Sequence, residues 1–368
     1  MRIILCGGGT AGHVSPAVAI AEYCREKDED AEFLFIGREG GRENDVIEKS
    51  GFRLQTLKIT GLERKISLTA MKAMLVALRA KRKARSIISG FKPDAVIGTG
   101  GYVSWPVIRA AQELNIPTLI HESNASAGLV TRLLAPRCDR VLLNFKGSDK
   151  EFKSSDNVRF VGNPVREQFF TTSKADARRK LGIPQRDFLI TSIGGSGGSL
   201  KINSASVALM KAYSTKNRHV RHIHSCGIKY YDSLKERYPE LTNGSDGCII
   251  KPYIEDMPTV MTASDVVVSR CGAMTISELS AAGVAAILVP SPNVTGNHQY
   301  KNAKLLCDRG AAIMIEDSEV NERTLLDAVR KLGTDEKLRR SLSTAIKGFH
   351  DPSSAELIYR ELLGVISR

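Results

Sequence analysis

The sequence has few aromatic residues and few cysteines, and it lacks any long hydrophobic run. Its 7 cysteines are odd in number and include no C-x-x-C pair, which argues against a disulfide framework and against a zinc site. No apolar run approaches the roughly 18 residues of a transmembrane helix. The opening residues 1–6 give way to glycine too soon for a secretion signal. We therefore expect a folded protein of the cytosol with reduced thiols.

Basic side chains outnumber acidic ones, 53 Lys and Arg against 40 Asp and Glu, which gives a net charge of +13. Such a surplus favours an anionic partner. The single Trp and the absence of basic stretches interleaved with aromatic residues give a specific nucleic-acid interface little support. We therefore expect lipid headgroups or phosphorylated ligands as partners, and no nucleic acid.

A chain of 368 residues is longer than most domains with a single hydrophobic core, so two domains are expected. Its 42% of hydrophobic residues is enough to form two cores. Short apolar runs alternate with helical stretches, a rhythm typical of right-handed βαβ units and parallel sheets. Strands are predicted at 2–5, 32–36, 95–97, 118–120, 140–143, 188–192, 219–224, 247–251, 266–269, 286–289 and 312–315. The sequence thus predicts two doubly wound α/β domains with a hinge near 162–166, where a glycine and a proline interrupt the pattern.

Two glycine-rich turns of the same kind lie nearly half a chain apart, at residues 7–12 and 194–199. Each follows an apolar run and precedes a helical stretch, and backbone N–H groups at such a helix start can hold a phosphate. A single turn of this kind often only reverses the chain, but the pair predicts two phosphate-bearing ligands that meet in a cleft. A third small-residue turn, 98–104, lies in the first half.

Two polar segments of the second half complete the candidate site. Residues 270–278 begin an alanine-rich helix, where a Thr or Ser could cap the helix while Glu278 faces the hydroxyls of a ligand. Glu278 could equally be a first-turn acid that complements the helix dipole. Residues 297–302 gather amides and a histidine, which suit sugar recognition but occur in many polar loops.

The string Asp28-Glu29-Asp30 has the D-x-D pattern that can hold a metal ion on a diphosphate. It lies in a charged connection far from any glycine turn. We therefore expect solvated surface there and no metal site.

The stretch 68–85 joins an apolar helical face to a basic cluster. Such a helix can rest on an anionic membrane, to which each cation near the surface contributes about 1 kcal/mol. The alternative is that Met71, Met74, Leu75 and Leu78 pack on the domain's own sheet while the basic residues only face water.

In this order, the motifs closely resemble those of the MurG family. Its members are inverting glycosyltransferases that add N-acetylglucosamine to the undecaprenyl-pyrophosphoryl-N-acetylmuramoyl-pentapeptide (lipid I) of bacterial peptidoglycan synthesis. The resemblance covers nearly the whole chain. It rests on G-G-T-A-G-H-V-S-P (8–16), G-T-G-G-Y-V-S (98–104), H-E-S-N (121–124), G-N-P-V-R (162–166), G-G-S (194–196), R-C-G-A-M-T-I-S-E (270–278) and N-H-Q-Y-K-N-A (297–303).

The resemblance implies a GT-B fold, in which two Rossmann-like domains face a cleft. Residues 1–164 would receive lipid I and face the membrane, and residues 165–350 would bind UDP-N-acetylglucosamine. The helix within 351–368 would be able to cross back to the first domain. The resemblance also implies a peripheral protein on the cytoplasmic face of the bacterial cell membrane, with no cofactor. The oligomeric state is not indicated.

The same resemblance implies the site residues. The donor site would comprise Thr10, Ala11, Gly12, Asn124, Arg166, Ser196, Ile254, Ala273, Met274, Thr275, Ile276, Ser277, Glu278, Gln299 and Asn302. Glu278 would bind the ribose hydroxyls, and Ile254 would offer its backbone to the uracil. Gln299 and Asn302 would read the sugar. The acceptor pyrophosphate would meet Gly9, Thr10, Gly12, His13, Gly100, Gly101 and Tyr102. His13 and Glu278 are the two residues assigned to catalysis.

Several positions depart from the family's pattern. Where the family usually has G-G-S-Q-G-A, residues 194–199 read G-G-S-G-G-S, so the glutamine side chain is missing at Gly197. Ser123 replaces another glutamine in H-E-Q-N. Ala11 stands where glycine is usual, so a methyl group narrows the phosphate-binding turn or forbids a positive φ there.

His13 is the candidate base that takes the proton from the acceptor's 4-hydroxyl as this oxygen attacks the face opposite UDP, which inverts the anomeric centre. It could instead only position phosphate or backbone. The departing diphosphate would be met, without a metal, by the helix start after Ser196 and by residues 273–278. Two other functions stay open: a UDP-N-acetylglucosamine 2-epimerase-like isomerase, and a non-catalytic donor-binding scaffold at the membrane.

Overall fold

A computed structural model describes residues 1–9, 11–41, 44–60, 68–154, 156–195, 197–214, 219–244 and 247–367, with side chains at all of these except 11, 68–74, 214 and 295. The chain divides into two compact units. The first unit comprises Met1–Val165 together with Asp351–Arg368, and the second comprises Arg166–His350.

The strands are β1 (Arg2–Cys6), β2 (Glu32–Arg38), β3 (Arg53–Leu57), β4 (Ala95–Gly98), β5 (Thr118–Glu122), β6 (Arg140–Leu143), β7 (Val158–Phe160), β8 (Phe188–Ile193), β9 (Val220–Ser225), β10 (Cys248–Lys251), β11 (Val266–Ser269), β12 (Ala285–Leu288) and β13 (Ile313–Met314).

The α-helices are α1 (Ala11–Lys27), α2 (Asn44–Lys49), α3 (Leu68–Phe91), α4 (Ser104–Glu113), α5 (Leu129–Leu134), α6 (Gln168–Thr171), α7 (Lys174–Leu181), α8 (Leu200–Ser214), α9 (Ile228–Arg237), α10 (Pro239–Thr242), α11 (Met257–Ala263), α12 (Ala273–Ala282), α13 (His298–Cys307), α14 (Glu322–Thr334), α15 (Glu336–Lys347) and α16 (Ser354–Ile366). Short 3-10 helices occupy Ala135–Arg137, Ser148–Glu151 and Thr295–Asn297.

Each unit is built on one parallel sheet. In the described part of the chain, the first sheet has seven strands in the order β3-β2-β1-β4-β5-β6-β7, and the second has six in the order β10-β9-β8-β11-β12-β13. Strand order reverses beside β1 and beside β8, and ligands of such sheets bind beyond the carboxyl ends of the strands at these points. The glycine turns after β1 and β8 therefore lie where a doubly wound fold places its ligand site.

The innermost strands β1, β4 and β11 are almost entirely apolar because helices cover both faces of each sheet. Ile4 is buried on one face with residues of α3 and α4, and Ile3 and Leu5 are buried on the other with residues of α1 and α16. In the second sheet, the valines of β11 are fully buried. The fold class is confirmed as two doubly wound parallel-sheet α/β domains, while a cleft between them stays a prediction.

The eleven predicted strands are all present, within a residue or two at their ends. The prediction missed β3 and β7, which are the two edge strands of the first sheet. An edge strand has one neighbour and keeps solvent on part of its surface, so β3 alternates exposed and covered residues instead of forming an apolar run. β7 is only three residues long, too short for a recognisable pattern.

The last helix, α16, belongs to the first unit. Its Ile358, Leu362 and Val365 are buried in the same core cluster as the residues of β1. Arg140 Nε and Glu361 Oε2 form an ion pair at 2.5 Å. The chain thus returns to its first core after completing the second.

Helix α3 carries the predicted membrane surface. Its buried stripe is Ala77, Ala80 and Ala84, whereas Leu75 and Leu78 are exposed. The alternative that these two leucines pack on the domain's own sheet is therefore wrong, while the side chains of Met71 and Met74 lie outside those described. None of the helices in the described ranges combines the length and the apolarity needed to cross a membrane.

Candidate functional site

The turns after β1 and β4 meet around His13. A Cβ added at Gly100 would lie 2.9 Å from the His13 ring, and one added at Gly101 would collide with the Gly8 carbonyl oxygen. Gly101 also has φ +74°, a left-handed conformation that side chains rarely adopt. Glycine at these positions therefore lets two loops from different strands close on one imidazole.

Hydrogen bonds to backbone carbonyl oxygens fix the positions of His13 and of the turn after β4. Thr99 Oγ1 donates to the His13 carbonyl oxygen at 2.5 Å, and Ser104 Oγ donates to the Gly100 carbonyl oxygen at 2.8 Å. His13 Nδ1 lies 3.2 Å from the Gly8 carbonyl oxygen. Because a carbonyl oxygen only accepts, Nδ1 carries the proton in the neutral ring and Nε2 is the basic nitrogen.

Two further predicted acceptor residues, Gly9 and Tyr102, lie next to each other. A Cβ added at Gly9 would lie 2.8 Å from the ring of Tyr102, so these two residues are in contact. Gly12 is exposed in the first turn of α1. Thr10 lies outside the described residues, as does the side chain of Ala11.

The segment that holds Asn124 is organised by Glu122, a buried carboxylate that the sequence analysis did not single out. Glu122 Oε1 accepts from the backbone N–H and the Nδ2 of Asn124, both at 3.1 Å. Glu122 Oε2 accepts from Gly128 N–H at 2.9 Å and from Thr131 Oγ1 at 2.7 Å. The only sequence signal for Glu122 was its place in the H-E-S-N motif. Its carboxylate binds groups of the loop itself.

His121, which precedes Glu122, lies in the core. Burial lowers the pKa of His121, and its Nε2 is 2.9 Å from the Gly162 carbonyl oxygen. It is therefore a neutral residue that fixes the loop near the unit boundary.

The glycine turn of the second unit packs against backbone. Gly198 has φ +72°, and a Cβ added there would collide with the Cys226 carbonyl oxygen. Asn203 Nδ2 donates to that same carbonyl oxygen at 3.0 Å. The turn is thus held against the loop after β9, at the start of α8. Ser196 lies outside the described residues.

No side chain caps the first backbone N–H groups of helix α12. Its N-cap is Gly272, and no side chain caps it, so the expectation of a Thr or Ser cap is wrong. Ala273, Met274 and Thr275 form the first turn, and their N–H groups precede the intrahelical bonds. The side chains of Ile276 and Ser277 are fully buried. The start of α12 can therefore take an anion on backbone N–H groups alone.

Glu278 lies in the second turn of α12, so it is not the first-turn acid of the alternative interpretation. Burial raises the pKa of Glu278 to about 7, and the charge of Arg166 opposes this rise. The structure therefore brings the carboxyl of Glu278 within the electrostatic reach of Arg166, itself exposed. A carboxyl with a pKa near neutrality is a candidate functional group rather than an ordinary surface acid.

Gln299 and Asn302 support the turn before α12. Gln299 Oε1 accepts from Cys271 N–H at 3.2 Å and from Ser291 N–H at 2.9 Å. Asn302 is fully buried, and its Nδ2 donates to the Cys271 carbonyl oxygen at 3.2 Å. Gln299 thus joins the segments that follow β11 and β12, and Asn302 binds the first of these segments. The recognition of a sugar by these two side chains stays a prediction.

Ile254 follows β10, and its side chain is buried with Leu189, Ile223 and Val260. That packing fixes the backbone of the loop that is predicted to meet the uracil.

No group of three or more metal-binding side chains is present among the described residues. Asp28, in the acidic D-x-D string, pairs with the N-terminal amine of Met1 at 3.0 Å. That carboxylate is therefore engaged in holding the chain's first residue.

Comparison with known proteins covers both units. Residues 3–143 match the glycosyltransferase family 28 N-terminal domain, and residues 189–358 match the glycosyltransferase family 28 C-terminal domain. The chain is 39% identical to the UDP-N-acetylglucosamine--N-acetylmuramyl-(pentapeptide) pyrophosphoryl-undecaprenol N-acetylglucosamine transferase of Acetivibrio thermocellus, over 98% of this chain and 96% of that protein.

Two solved structures extend the comparison. MurG of Acinetobacter baumannii is 26% identical, with a TM-score of 0.76 and coverage of 99% of both chains. The UDP-GlcNAc 2-epimerase from Neisseria meningitidis bound to UDP-GlcNAc has a TM-score of 0.66 at 13% identity, over 99% of this chain and 100% of that one, which is a likeness of fold alone. The glycine turns, the start of α12 and the full-length identity lead to one conclusion: the chain belongs to the MurG family of glycosyltransferases.

Proposed function

We propose that the chain transfers N-acetylglucosamine from UDP-N-acetylglucosamine to the 4-hydroxyl of the muramoyl group of lipid I, forming the disaccharide lipid of peptidoglycan synthesis. The observation that carries this proposal is the identity of 39% along 98% of the chain to a protein named for that reaction. The UDP-GlcNAc 2-epimerase from Neisseria meningitidis, at 13% identity, is similar in fold alone.

The second unit binds the donor. The diphosphate lies at the uncapped start of α12 and at the turn that begins α8, where backbone N–H groups and two helix dipoles favour negative charge. The carboxylate of Glu278 accepts hydrogen bonds from the ribose hydroxyls, and Arg166 supplies a neighbouring positive charge. These groups stabilise the charge of departing UDP without reorganising during the reaction.

The first unit binds the acceptor. Its pyrophosphate lies on the two glycine turns that close around His13. Nε2 of His13 takes the proton from the 4-hydroxyl as that oxygen forms the new glycosidic bond and the bond to UDP breaks. Attack from the face opposite UDP inverts the anomeric centre.

The exposed surface of α3 rests on the anionic membrane that carries lipid I. Leu75 is 58% exposed and Leu78 is 41% exposed, and the exposed Arg79, Arg82 and Arg85 follow along the same helix. Exposed leucines beside cations are the composition of an interfacial helix. We propose a peripheral position on the cytoplasmic face of the cell membrane.

One incubation tests the reaction against its alternatives. The full chain is mixed with labelled UDP-N-acetylglucosamine and a lipid I analogue, and products are separated by chromatography. Labelled disaccharide lipid supports the transferase, epimerised sugar nucleotide supports the isomerase, and retained donor without product supports a scaffold.

Chelation of divalent ions tests whether UDP departs without a metal ion. Transferase activity is expected to be unchanged by a chelator. Activity that is lost with the chelator and restored by adding a divalent ion would contradict the proposal.

Vesicle co-sedimentation tests the membrane surface. Binding is expected to rise with the fraction of anionic lipid and to fall when Leu75 and Leu78 are both changed to Ser. Equal sedimentation with neutral and anionic vesicles would contradict the proposal.

A further inference from the structure

The turn that begins α8 differs from the family's usual pattern at two of its last three positions. Gly197 replaces a glutamine and Ser199 replaces an alanine. A Cβ added at Gly197 meets no atom within 4 Å, so the turn is open on that side. The chain has thus lost one side chain in the turn and gained a hydroxyl group two residues later.

The hydroxyl of Ser199 is buried and makes two contacts. It accepts from the guanidinium Nη2 of Arg270 at 2.7 Å. It also lies 3.4 Å from the backbone N–H of Ile202, the third residue of α8, in the manner of an N-cap. An alanine at this position could make neither contact.

Arg270 joins several strand ends of the second sheet. Its Nη1 donates to the carbonyl oxygens of Val289 and Pro290, both at 3.3 Å, and lies 2.7 Å from Asp317 Oδ1. Val289 and Pro290 follow β12, and Asp317 follows β13. Through Nη2, the same guanidinium reaches the β8 turn at Ser199.

Arg270 also lies two residues before Gly272, the N-cap of α12. The Ser199–Arg270 hydrogen bond therefore connects the two helix starts that flank the proposed diphosphate site. A hydrogen bond to a charged group is stronger than one between neutral groups, so this connection restrains the glycine turn in one position.

We propose that Ser199 is a positioning residue for the donor diphosphate, which holds the start of α8 at a set distance from the start of α12. This inference rests on the proposed function only in that the ligand of the two helix starts is a nucleotide diphosphate. Ser199 itself touches no reacting atom. The adjacent glycines Gly197 and Gly198 leave the backbone of this turn conformationally free. The hydrogen bond from Arg270 to Ser199 restricts that freedom.

The test compares Ser199→Ala, Ser199→Thr and a matched control, Ser206→Ala. Ser206 lies on the same helix, is fully buried, and its hydroxyl has no hydrogen-bond partner among the described residues. Affinity for UDP is measured by calorimetry, and kcat and the KM for UDP-N-acetylglucosamine are measured with a lipid I analogue. Melting temperature is recorded for each variant.

Ser199→Ala is expected to weaken UDP binding and raise the donor KM about tenfold, the loss of one charge-assisted hydrogen bond, with kcat within about twofold of wild type. Ser199→Thr, which keeps the hydroxyl, is expected to retain near wild-type affinity, and Ser206→Ala to change neither constant.

A lower melting temperature for Ser199→Ala with unchanged UDP affinity would assign the hydroxyl a purely structural role and overturn the proposal. Wild type that binds UDP but forms no disaccharide lipid would instead refute the proposed reaction, while the calorimetric comparison of the variants would still decide the role of Ser199.

Discussion

In the first unit, Gly100 and Gly101 after β4 pack against a side chain, the imidazole of His13, whereas in the second unit Gly198 after β8 packs against the carbonyl oxygen of Cys226. The first arrangement leaves a titratable ring at the loop surface, and the second leaves backbone N–H groups at two helix starts. The same glycine-rich sequence signal thus produces two different local structures, for which we propose proton transfer in one unit and charge stabilisation in the other.

Removing the imidazole is the strongest way to break this comparison. His13→Ala is expected to lower kcat by about 10² to 10⁴-fold, the range typical of a lost general base, and to leave UDP affinity unchanged. Steady-state kinetics and calorimetry measure the two effects. The control is His13→Asn, whose Nδ2 lies where Nδ1 of the imidazole does and keeps a donor for the Gly8 carbonyl oxygen. It has no basic nitrogen, so it should be as slow as the alanine variant. Near-normal turnover of either variant would remove His13 from the chemistry.

A methyl group in the second turn tests whether the tight approach of the backbone matters there. Gly198→Ala forces a side chain into the left-handed region and against Cys226, so UDP affinity is expected to fall by about 10-fold to 100-fold, for a strain of order 1 to 3 kcal/mol. Gly197→Ala is the matched control, because a Cβ there meets open space. Calorimetry with UDP measures both variants, and equal affinities would contradict the proposed geometry of the turn.

The raised pKa of Glu278 predicts a pH dependence that belongs to the second unit alone. Since burial raises this pKa to about 7, the carboxyl is mostly protonated at pH 6 and ionised at pH 8. The donor KM of wild type is expected to fall up to about tenfold from pH 6 to pH 8 as the carboxylate forms. Glu278→Gln should have a high KM that does not change over this range. If the donor KM of wild type and of Glu278→Gln changed with pH in the same way, the titrating group would be one other than Glu278.

The same group also affects stability. Because the folded state holds the Glu278 proton more tightly than the unfolded chain does, stability from this group is present below the ordinary glutamate pKa and is lost as pH rises through about 7. Glu278→Gln, which cannot ionise, is therefore expected to gain melting temperature relative to wild type at pH 8 but not at pH 4. A constant difference at the two pH values would contradict burial as the cause.

The smallest expected effect comes from restoring the family's glutamine. Gly197→Gln places an amide in the open space beside the turn, and one neutral hydrogen bond to the donor would raise its affinity about threefold. The donor KM measures the change. A several-fold loss of affinity would mean that this side of the turn is occupied when the donor binds.

Much of this arrangement was predictable because buried parallel strands appear in the sequence as apolar runs, and tight turns between a strand and a helix appear as glycines. The edge strands β3 and β7 were missed because solvent on part of their surface removes that apolar signal. The cap of α12 was predicted as Thr or Ser, but the start of this helix is left to Gly272.

The roles of polar residues were harder to predict than their presence. Glu122 and the contacts of Gln299 depend on which backbone groups meet in the fold, and residue type alone does not encode that. The hydrogen bond between Ser199 and Arg270 joins positions 71 residues apart, so no local sequence pattern predicts it.

The return of α16 to the first core makes the second unit an insertion within the first. The backbone leaves the first unit after Val165 and re-enters it at Asp351. The two crossing segments lie side by side at Gly162, where an added Cβ would touch Ser354 and lie 3.9 Å from Asp351 Cβ. A gene fragment for 166–350 therefore encodes the whole second unit. A gene in which codon 165 is joined to codon 351 by a short linker would encode the first unit as one continuous polypeptide.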